Sequence, residues 1–168
     1  MNQLKLCMVG SFAVGKTSLV QRYVKSIFTE KYHTTVGVKI DKKDVRIGAE
    51  TIRMMVWDLA GDDVFSRLQT TFLRGAAGYL LVADGTRAGT LDVALRLNRE
   101  IEAALGPLPF VLVLNKDDLA AAWEVDADRV SSLERGGIKV FRTSAKDGRG
   151  VESIFEHFAA LYRMQQAS

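Results

Sequence analysis

One stretch near the start of the chain has the residue types and spacing of a phosphate-binding loop. Residues 10–17 have the sequence GSFAVGKT, which fits the pattern G-x-x-x-x-G-K-[ST]. The glycines of this pattern let the backbone curl so that several N–H groups point at phosphate oxygens, and the following helix N-terminus adds positive potential. Lys16 would reach the β- and γ-phosphates, and the Thr17 hydroxyl would bind Mg²⁺. The stretch predicts a nucleoside triphosphate site without indicating the base.

A plain glycine turn before a helix is the alternative explanation of this phosphate loop, residues 10–17. All fixed positions of the pattern match, and an apolar run precedes them while a helical pattern follows, which argues against a plain turn. The residues expected to contact the nucleotide here are Gly10, Ala13, Val14, Gly15, Lys16, Thr17 and Ser18.

Residues 115–118, called the base loop below, have the types needed to recognise a purine base. Their sequence, NKDD, fits N-K-x-D. The Asp118 carboxylate can accept two parallel hydrogen bonds from the N1–H and 2-amino group of guanine, whereas adenine offers an acceptor at N1 and lacks the amine. A site built for such bonds rejects the wrong partner by about 10⁴-fold or more. Asn115 would tie this loop to the phosphate loop, and the Lys116 stem would lie along the base.

Two shorter stretches complete the candidate site. Residues 143–146, TSAK, resemble an S-A-K motif whose central N–H contacts guanine O6, so Ser144, Ala145 and Lys146 are expected at the base. Residues 58–61, DLAG, fit D-x-x-G. Asp58 would hold Mg²⁺ through a water, because this ion keeps much of its hydration, and Gly61 would let its N–H approach the γ-phosphate. A solvated turn is the alternative explanation of the base loop, since its residue types suit turns.

Apolar β-rich runs alternate with helical patterns along the chain. The predicted strands are 4–9, 36–47, 51–57, 78–83, 110–114 and 139–142, and the predicted helices are 16–26, 66–74, 91–105, 120–135 and 151–164. Four strands are almost wholly apolar, as expected when helices cover both faces, whereas 36–47 and 51–57 alternate and form a hairpin. We therefore predict an α/β fold: a doubly wound, six-stranded, mostly parallel sheet with one antiparallel edge strand and helices on both faces. Ligands of such sheets bind beyond the carboxyl ends of the strands, where the motifs fall.

The composition limits the class of protein. The chain has 168 residues, 48% hydrophobic and 26% charged, with a formal net charge of +3, which suits one ordinary globular domain. No basic block indicates a nucleic-acid arm, and no apolar run reaches the roughly 20 residues of a membrane span. The single cysteine, Cys7, lies in an apolar run and is expected to be a small core residue. We expect a soluble cytoplasmic protein without a signal peptide.

The phosphate loop, D-x-x-G, N-K-x-D and S-A-K follow one another in the order and spacing of the Ras-like small GTPases, and together they cover nearly the whole chain. The Rab-type subgroup is similar also in VGV at 36–38, VWD at 56–58 and LRGA at 73–76. The resemblance implies one P-loop G domain over residues 1–168, a monomer that binds GTP or GDP with Mg²⁺. It implies that Phe28 stacks edgewise on guanine, a core-facing aromatic being the alternative.

The same resemblance implies two switch segments, residues 29–40 and 59–75, which the γ-phosphate and Mg²⁺ hold until hydrolysis. Thr35 would bind Mg²⁺ through its hydroxyl and the γ-phosphate through its N–H, with Thr34 as the competing register. Effector, exchange-factor and activating proteins would bind through the two segments. Lys16, Thr35, Gly61 and Asp62 occupy the catalytic positions of the family.

Two residues depart from the family pattern. Most members carry a glutamine that orients the attacking water where this chain has Asp62. Aspartate lacks the amide, adds negative charge beside an anionic phosphate and is a poor base at neutral pH, so we predict hydrolysis at or below about 10⁻⁴ s⁻¹. The alternative is that Asp62 is a solvated residue without a catalytic role. Phe12 replaces a small residue and would either obstruct an arginine from an activating partner or pack against the second switch segment.

The ends of the sequence carry no lipidation signal. There is no C-terminal cysteine or polybasic stretch, and the second residue is Asn2 rather than glycine, so no direct lipid anchor is expected; a shortened chain would explain this equally well. The favoured interpretation is a slowly hydrolysing GTP/GDP switch. A GTP-bound interaction protein that scarcely hydrolyses is the first alternative, and a P-loop enzyme such as a small kinase is the second. Lys116, Asp118 and the two switch segments argue against the kinase.

Overall fold

The computed structural model describes residues 2–25, 38–59 and 71–167. Within these ranges the strands are β1 (Asn2–Gly10), β2 (Val38–Ile47), β3 (Glu50–Leu59), β4 (Gly78–Asp84), β5 (Phe110–Asn115) and β6 (Val140–Arg142). The helices are α1 (Lys16–Lys25), α2 (Ala88–Leu105), α3 (Ala127–Arg135) and α4 (Val151–Gln166), and a 3₁₀ helix covers Asp117–Ala122. Most of the predicted helix 66–74 lies outside the described residues.

The six strands form one sheet in the order β2-β3-β1-β4-β5-β6. Only β2 runs antiparallel to its neighbour β3, and the remaining pairs are parallel. The two antiparallel strands are joined by residues 48–49, where Gly48 has a φ of 61° that suits a tight turn. The predicted sheet, with its antiparallel edge strand, is therefore confirmed.

Helices cover both faces of the sheet. Leu6 and Met8 of β1 pack into a cluster with α1 and α4, while Cys7 and Val9 of the same strand pack into a second cluster with α2. Side chains of α3 also pack against the second cluster. The alternation follows from the two-residue period of a strand and confirms the doubly wound arrangement. Burial raises the pKa of the Cys7 thiol to about 12, although the charge of Lys5 acts in the opposite direction, as suits a core residue.

The predicted helix 120–135 is wrong as a single element. The 3₁₀ helix ends at Ala122, and α3 begins only at Ala127, after the Asp126 side chain accepts a hydrogen bond from the backbone of the first turn. Between the two, the N–H groups of Glu124 and Val125 both donate to the Gly85 carbonyl, at 2.8 and 3.2 Å. Trp123 covers Gly85 so closely that a Cβ there would lie 2.0 Å from the indole. These tertiary contacts override the local helical preference.

Replacing Gly78 with alanine is expected to destabilise the fold. A Cβ at this position would lie 2.5 Å from the Phe158 ring and 2.7 Å from the Pro109 carbonyl oxygen, and the backbone atom has little freedom to move. Overpacking of this kind lowers the free energy of unfolding by about 1–3 kcal/mol. Urea unfolding at one fixed nucleotide concentration measures the change.

Gly89→Ala is the matched control for Gly78→Ala. Nothing lies within 4 Å of a Cβ at Gly89, which belongs to α2. Alanine favours a helix over glycine by up to about 1 kcal/mol, so this variant is expected to be neutral or more stable. Equal stability of the two variants would contradict the packing around Gly78.

Candidate functional site

The carboxyl ends of the strands bring distant sequence segments to one edge of the sheet. The register pairs Met8 with Asp58, and Gly10 with Val82 two residues before the end of β4. The last pair of β4 and β5 is Asp84 with Asn115. The chain passes from β1 to β2 and β3 on one side, whereas β4 to β6 lie on the other, so the end of β1 is the topological switch point where such sheets bind ligands.

The phosphate loop crosses this edge in a conformation that needs its small residues. Ala13 and Gly15 have left-handed φ values of 60° and 102°. A Cβ at Gly15 would lie 2.2 Å from Asn115 Nδ2, and a Cβ at Gly10 would lie 2.3 Å from the Val82 carbonyl oxygen. The glycines of the pattern therefore allow the loop to lie close to the sheet, and they also allow the loop to curve.

Three successive carbonyl oxygens of the phosphate loop accept hydrogen bonds from side chains of other segments. The pairs are Arg87 Nη2 with Phe12, Lys116 Nζ with Ala13, and Asn115 Nδ2 with Val14, each at 3.1 Å. In a trans peptide the N–H points away from the C=O of the same peptide unit. The N–H groups of the same peptide units therefore point away from Arg87, Lys116 and Asn115, and in this direction they can donate hydrogen bonds to an anion.

Lys16 is a nearly buried cation at the start of α1. Its Nζ donates to the carbonyl oxygens of Gly10 and Ser11, at 3.0 and 2.8 Å, and the residue is 6% exposed. Burial lowers its pKa to about 8, although the Asp58 carboxylate acts in the opposite direction. An anionic group beside this ammonium would favour its charged form, so the site is electrostatically suited to phosphate.

Thr17 and Asp58 meet where α1 begins and β3 ends. The Thr17 hydroxyl donates to Asp58 Oδ2 at 2.5 Å, and Asp58 is 1% exposed. These oxygen donors suit Mg²⁺, which proteins commonly bind through one or two side chains together with substrate phosphates. Among the described residues, no group of three or more His, Cys, Asp or Glu side chains could hold a metal. Thr17 and Asp58 fit the binding of Mg²⁺ by two side chains together with substrate phosphates.

The base loop and residues 143–146 are joined by side-chain hydrogen bonds. Ser144 Oγ donates to Asp118 Oδ1 at 2.9 Å, which orients the carboxylate expected to bind guanine. Asn115 Oδ1 accepts from Thr143 Oγ1 at 3.0 Å and from the Ala145 N–H at a longer 3.3 Å. Asn115 thus bonds the phosphate loop with its amide nitrogen and the third segment with its amide oxygen.

Asp84 is a residue of this edge that the sequence patterns did not single out. Its buried carboxylate accepts hydrogen bonds from Thr86 at Oδ1 and from Lys116 and Arg87 at Oδ2. Burial would raise the pKa of Asp84, but the hydrogen bonds from Thr86, Lys116 and Arg87 outweigh it and hold the pKa below its usual value. The available signal was a carboxylate directly after an apolar predicted strand; Asp58 and Asn115 likewise come directly after predicted strands.

The structure brings most of the predicted site residues to one edge of the sheet. Those in the described segments are Gly10, Ala13, Val14, Gly15, Lys16, Thr17, Ser18, Asp58, Asn115, Lys116, Asp118, Ser144, Ala145 and Lys146. Four predicted site residues lie outside them, namely Phe28, Thr35, Gly61 and Asp62, as does the competing Thr34. The roles assigned to the residues of both groups stay predictions.

A phosphate loop at the switch point of a doubly wound sheet defines a P-loop nucleotide-binding protein. The sequence model of the Ras family matches residues 5–163 of this chain. Human (Homo sapiens) Ras-related protein Rab-25 is 34% identical over 171 residues, covering 98% of this chain and 80% of that protein. Ras-related protein YPT3 of Nicotiana plumbaginifolia is 33% identical over 163 residues, covering 95% and 75%. Ras-related protein Rab-32C of Dictyostelium discoideum is 32% identical over 174 residues, covering 98% and 77%.

The chain therefore belongs to the Ras family, and its relatives confirm the expected similarity to the Rab-type subgroup. It is a small GTPase that binds guanine nucleotides, and members of this family generally use Mg²⁺ and interact with effectors, exchange factors and activating proteins. In the part of the chain that the structure describes, no helix is both long and apolar enough to cross a membrane.

Asn115→Ala is expected to release bound GDP at least about tenfold faster than the wild type. The change removes the amide that bonds both Val14 and Thr143, and it leaves buried polar partners unsatisfied, a loss of about 1.4 kcal/mol or more. Displacement of a fluorescent GDP analogue measures the rate. Circular dichroism checks that the fold is retained.

Thr143→Val separates one hydrogen bond of Asn115 from the rest. Valine is close in shape to threonine and removes only the bond to Asn115 Oδ1, so GDP release is expected to rise by only about threefold. A Thr143→Val effect as large as that of Asn115→Ala would show that the bond to Val14 contributes nothing to nucleotide retention.

Proposed function

We propose that this chain is a GTP/GDP switch in which residues 1–168 form one G domain that binds guanine nucleotide with Mg²⁺ and hydrolyses GTP slowly. Effector, exchange-factor and activating proteins would bind through the two switch segments, residues 29–40 and 59–75. The observation that carries the proposal is the bonding of Asn115 and Lys116 to the carbonyls of Val14 and Ala13. Because of these bonds, the loop suited to phosphate and the loop suited to guanine form one connected unit.

The phosphate end of the proposed site acts through charge and hydrogen bonds. The Lys16 ammonium, whose charge is now partly compensated by two carbonyl oxygens, would contact phosphate oxygens instead. The N–H groups of the phosphate loop would donate hydrogen bonds to the same phosphates. Thr17 and Asp58 would hold Mg²⁺, joined by Thr35. The ion, when bound, neutralises charge that develops on the phosphate oxygens during transfer to water.

The base end of the proposed site acts through one oriented carboxylate. Ser144 holds Asp118 by one oxygen, which favours a fixed direction for the pair of hydrogen bonds to guanine. The Ala145 N–H now donates a long hydrogen bond to Asn115 Oδ1. With guanine bound, this N–H would donate to guanine O6, either in addition to Asn115 or in place of it. Adenine would leave the Asp118 carboxylate facing a lone pair, at the full cost of an unsatisfied polar group.

The scarcely hydrolysing, GTP-bound interaction protein is the second candidate, and two residues favour it. Asp62 lacks the amide that orients water in relatives with glutamine. The Phe12 side chain of the phosphate loop is 44% exposed, so a bulky ring is accessible there and would obstruct an arginine from an activating partner. Both candidates share every nucleotide contact and differ only in the hydrolysis rate.

Single-turnover hydrolysis of preloaded GTP tests the proposed role of Asp62. The wild type is expected at or below about 10⁻⁴ s⁻¹, and Asp62→Gln is expected to be faster because it restores the amide and removes a charge. Asp63→Asn removes a charge from the neighbouring position and leaves position 62 without an amide, so it separates the loss of negative charge from the gain of an amide at 62. A wild type that hydrolyses quickly and is slowed by Asp62→Gln would make Asp62 itself catalytic and the proposal of slow turnover wrong.

Asp118→Asn is expected to weaken GTP binding by about 100-fold or more. The amide presents a donor to the guanine 2-amino group and removes the charge, so at least one charge-assisted hydrogen bond is lost. Competition against a fluorescent GTP analogue measures the affinity. For the wild type, ATP is expected not to compete.

Asp117→Asn is the matched control, one residue away on the same loop. The Asp117 carboxylate pairs with Arg142 and Arg149 at 2.7 and 2.8 Å and is not the acceptor of the Ser144 bond. Its affinity for GTP is expected to change by less than about threefold, because the exposed partners contribute little. An equal loss of GTP affinity in Asp117→Asn and Asp118→Asn would contradict the assignment of Asp118 as the guanine-binding residue.

A further inference from the structure

Asp84 lies at the centre of a connection between the base loop and the phosphate loop. It is 1% exposed and ends β4, and Thr86 satisfies its Oδ1 through both a backbone and a side-chain hydrogen bond, at 2.9 and 2.7 Å. The other oxygen, Oδ2, receives Lys116 Nζ at 2.9 Å and Arg87 Nε at 3.0 Å. One buried carboxylate thus holds two cations.

Both of these cations extend from Asp84 to the phosphate loop. Lys116 donates to the Ala13 carbonyl and Arg87 to the Phe12 carbonyl, so two consecutive peptide units are bonded by side chains that share one anchor. Arginine is suited to its position because Nε and Nη2 are separate donors on one rigid plane, and here one bonds Asp84 and the other Phe12. A lysine has a single nitrogen at the end of a flexible stem.

The start of α2 fixes the geometry of this connection. Arg87 is the residue before the first turn of α2, and its carbonyl accepts from Thr90 Oγ1 at 2.7 Å. The same hydroxyl accepts from the Asp84 N–H at 2.8 Å. The backbones of Asp84 and Arg87 are therefore held by one buried threonine, which fixes the position from which each side chain starts.

We propose that Asp84 and Arg87 are positioning residues that brace the phosphate loop at Phe12 and Ala13 and thereby slow the release of bound nucleotide. Neither residue needs to touch the nucleotide, since each acts through the direction of loop peptide units. This inference rests on the proposed function, because it concerns retention of the same guanine nucleotide. It adds α2 as a third support of the loop, beside the base loop and the sheet.

The test compares GDP release from the wild type, Arg87→Gln and Arg87→Lys, each preloaded with a fluorescent GDP analogue. Arg87→Gln is expected to release GDP about fivefold faster, as loss of an exposed charge-assisted hydrogen bond implies. Arg87→Lys is expected to release GDP at a rate between those of the wild type and Arg87→Gln, because a lysine nitrogen can bond two oxygens, as Lys116 does, but ends a flexible stem that loses more entropy when ordered. Full rescue by lysine would support a brace formed by any cation that bonds both oxygens.

Arg129→Gln is the matched control. Arg129 of α3 bonds Asp92 of α2 at 2.5 Å in an exposed pair that includes no residue of the phosphate loop, so the release rate of this variant is expected to equal that of the wild type. An Arg87→Gln rate equal to that of this control would overturn the proposal. The double variant Asp84→Asn with Arg87→Gln is expected to be no faster than Asp84→Asn alone, because the arginine acts through the carboxylate. If Asp84→Asn fails to fold, the partly exposed Arg87 carries the test by itself.

The outcomes separate the brace from the proposed function. If the wild type retains GDP and Arg87→Gln releases it at the rate of the control, the proposed GTP/GDP switch stands. Only the proposal that Asp84 and Arg87 brace the phosphate loop is then wrong. A wild type that binds no guanine nucleotide removes the proposed function. In that case amide hydrogen exchange of residues 10–18 decides the brace: faster exchange in Arg87→Gln than in Arg129→Gln supports it, and equal exchange overturns it.

Discussion

A loop that presents its N–H groups to an anion has to satisfy its carbonyl groups from the opposite side, and the rest of this site follows from that constraint. Side chains of three residues, Asn115, Lys116 and Arg87, supply the donors for three successive carbonyls. These residues come from two different strand ends, so the constraint can be met only where parallel strands terminate together. The order of the strands therefore determines the conformation of the phosphate loop, although the loop itself belongs to β1 and α1.

Charge balance at this edge is organised around buried groups. Asp84 is fully compensated by hydrogen bonds from its neighbours, whereas Lys16 is held mainly by carbonyl oxygens and keeps a lowered pKa of about 8, chiefly because of its burial. A buried cation with incomplete compensation is costly unless an anion joins it. The edge thus combines a buried carboxylate whose charge is compensated by Lys116 and Arg87 with a locally positive centre at Lys16, a distribution that suits a polyphosphate.

The sheet and the main site segments could be predicted because each depends on local signals: apolar runs for strands, and fixed residue types at short spacing for the phosphate and base loops. The break between Ala122 and Ala127 could not, because it depends on Gly85 accepting two backbone hydrogen bonds from a segment far along the chain. Asp84 and Arg87 were missed for a related reason. Their importance lies in contacts with Lys116 and Phe12, which only the assembled sheet brings within reach.

The packing of Trp123 over Gly85 joins two positions that are otherwise distant in the chain. The indole occupies the space that any larger residue at 85 would need, and Arg142 lies over the same ring at 4.3 Å. A side chain at position 85 could therefore be accommodated only if the indole at 123 moved or were replaced by a smaller group, so the two positions tolerate change together rather than one at a time.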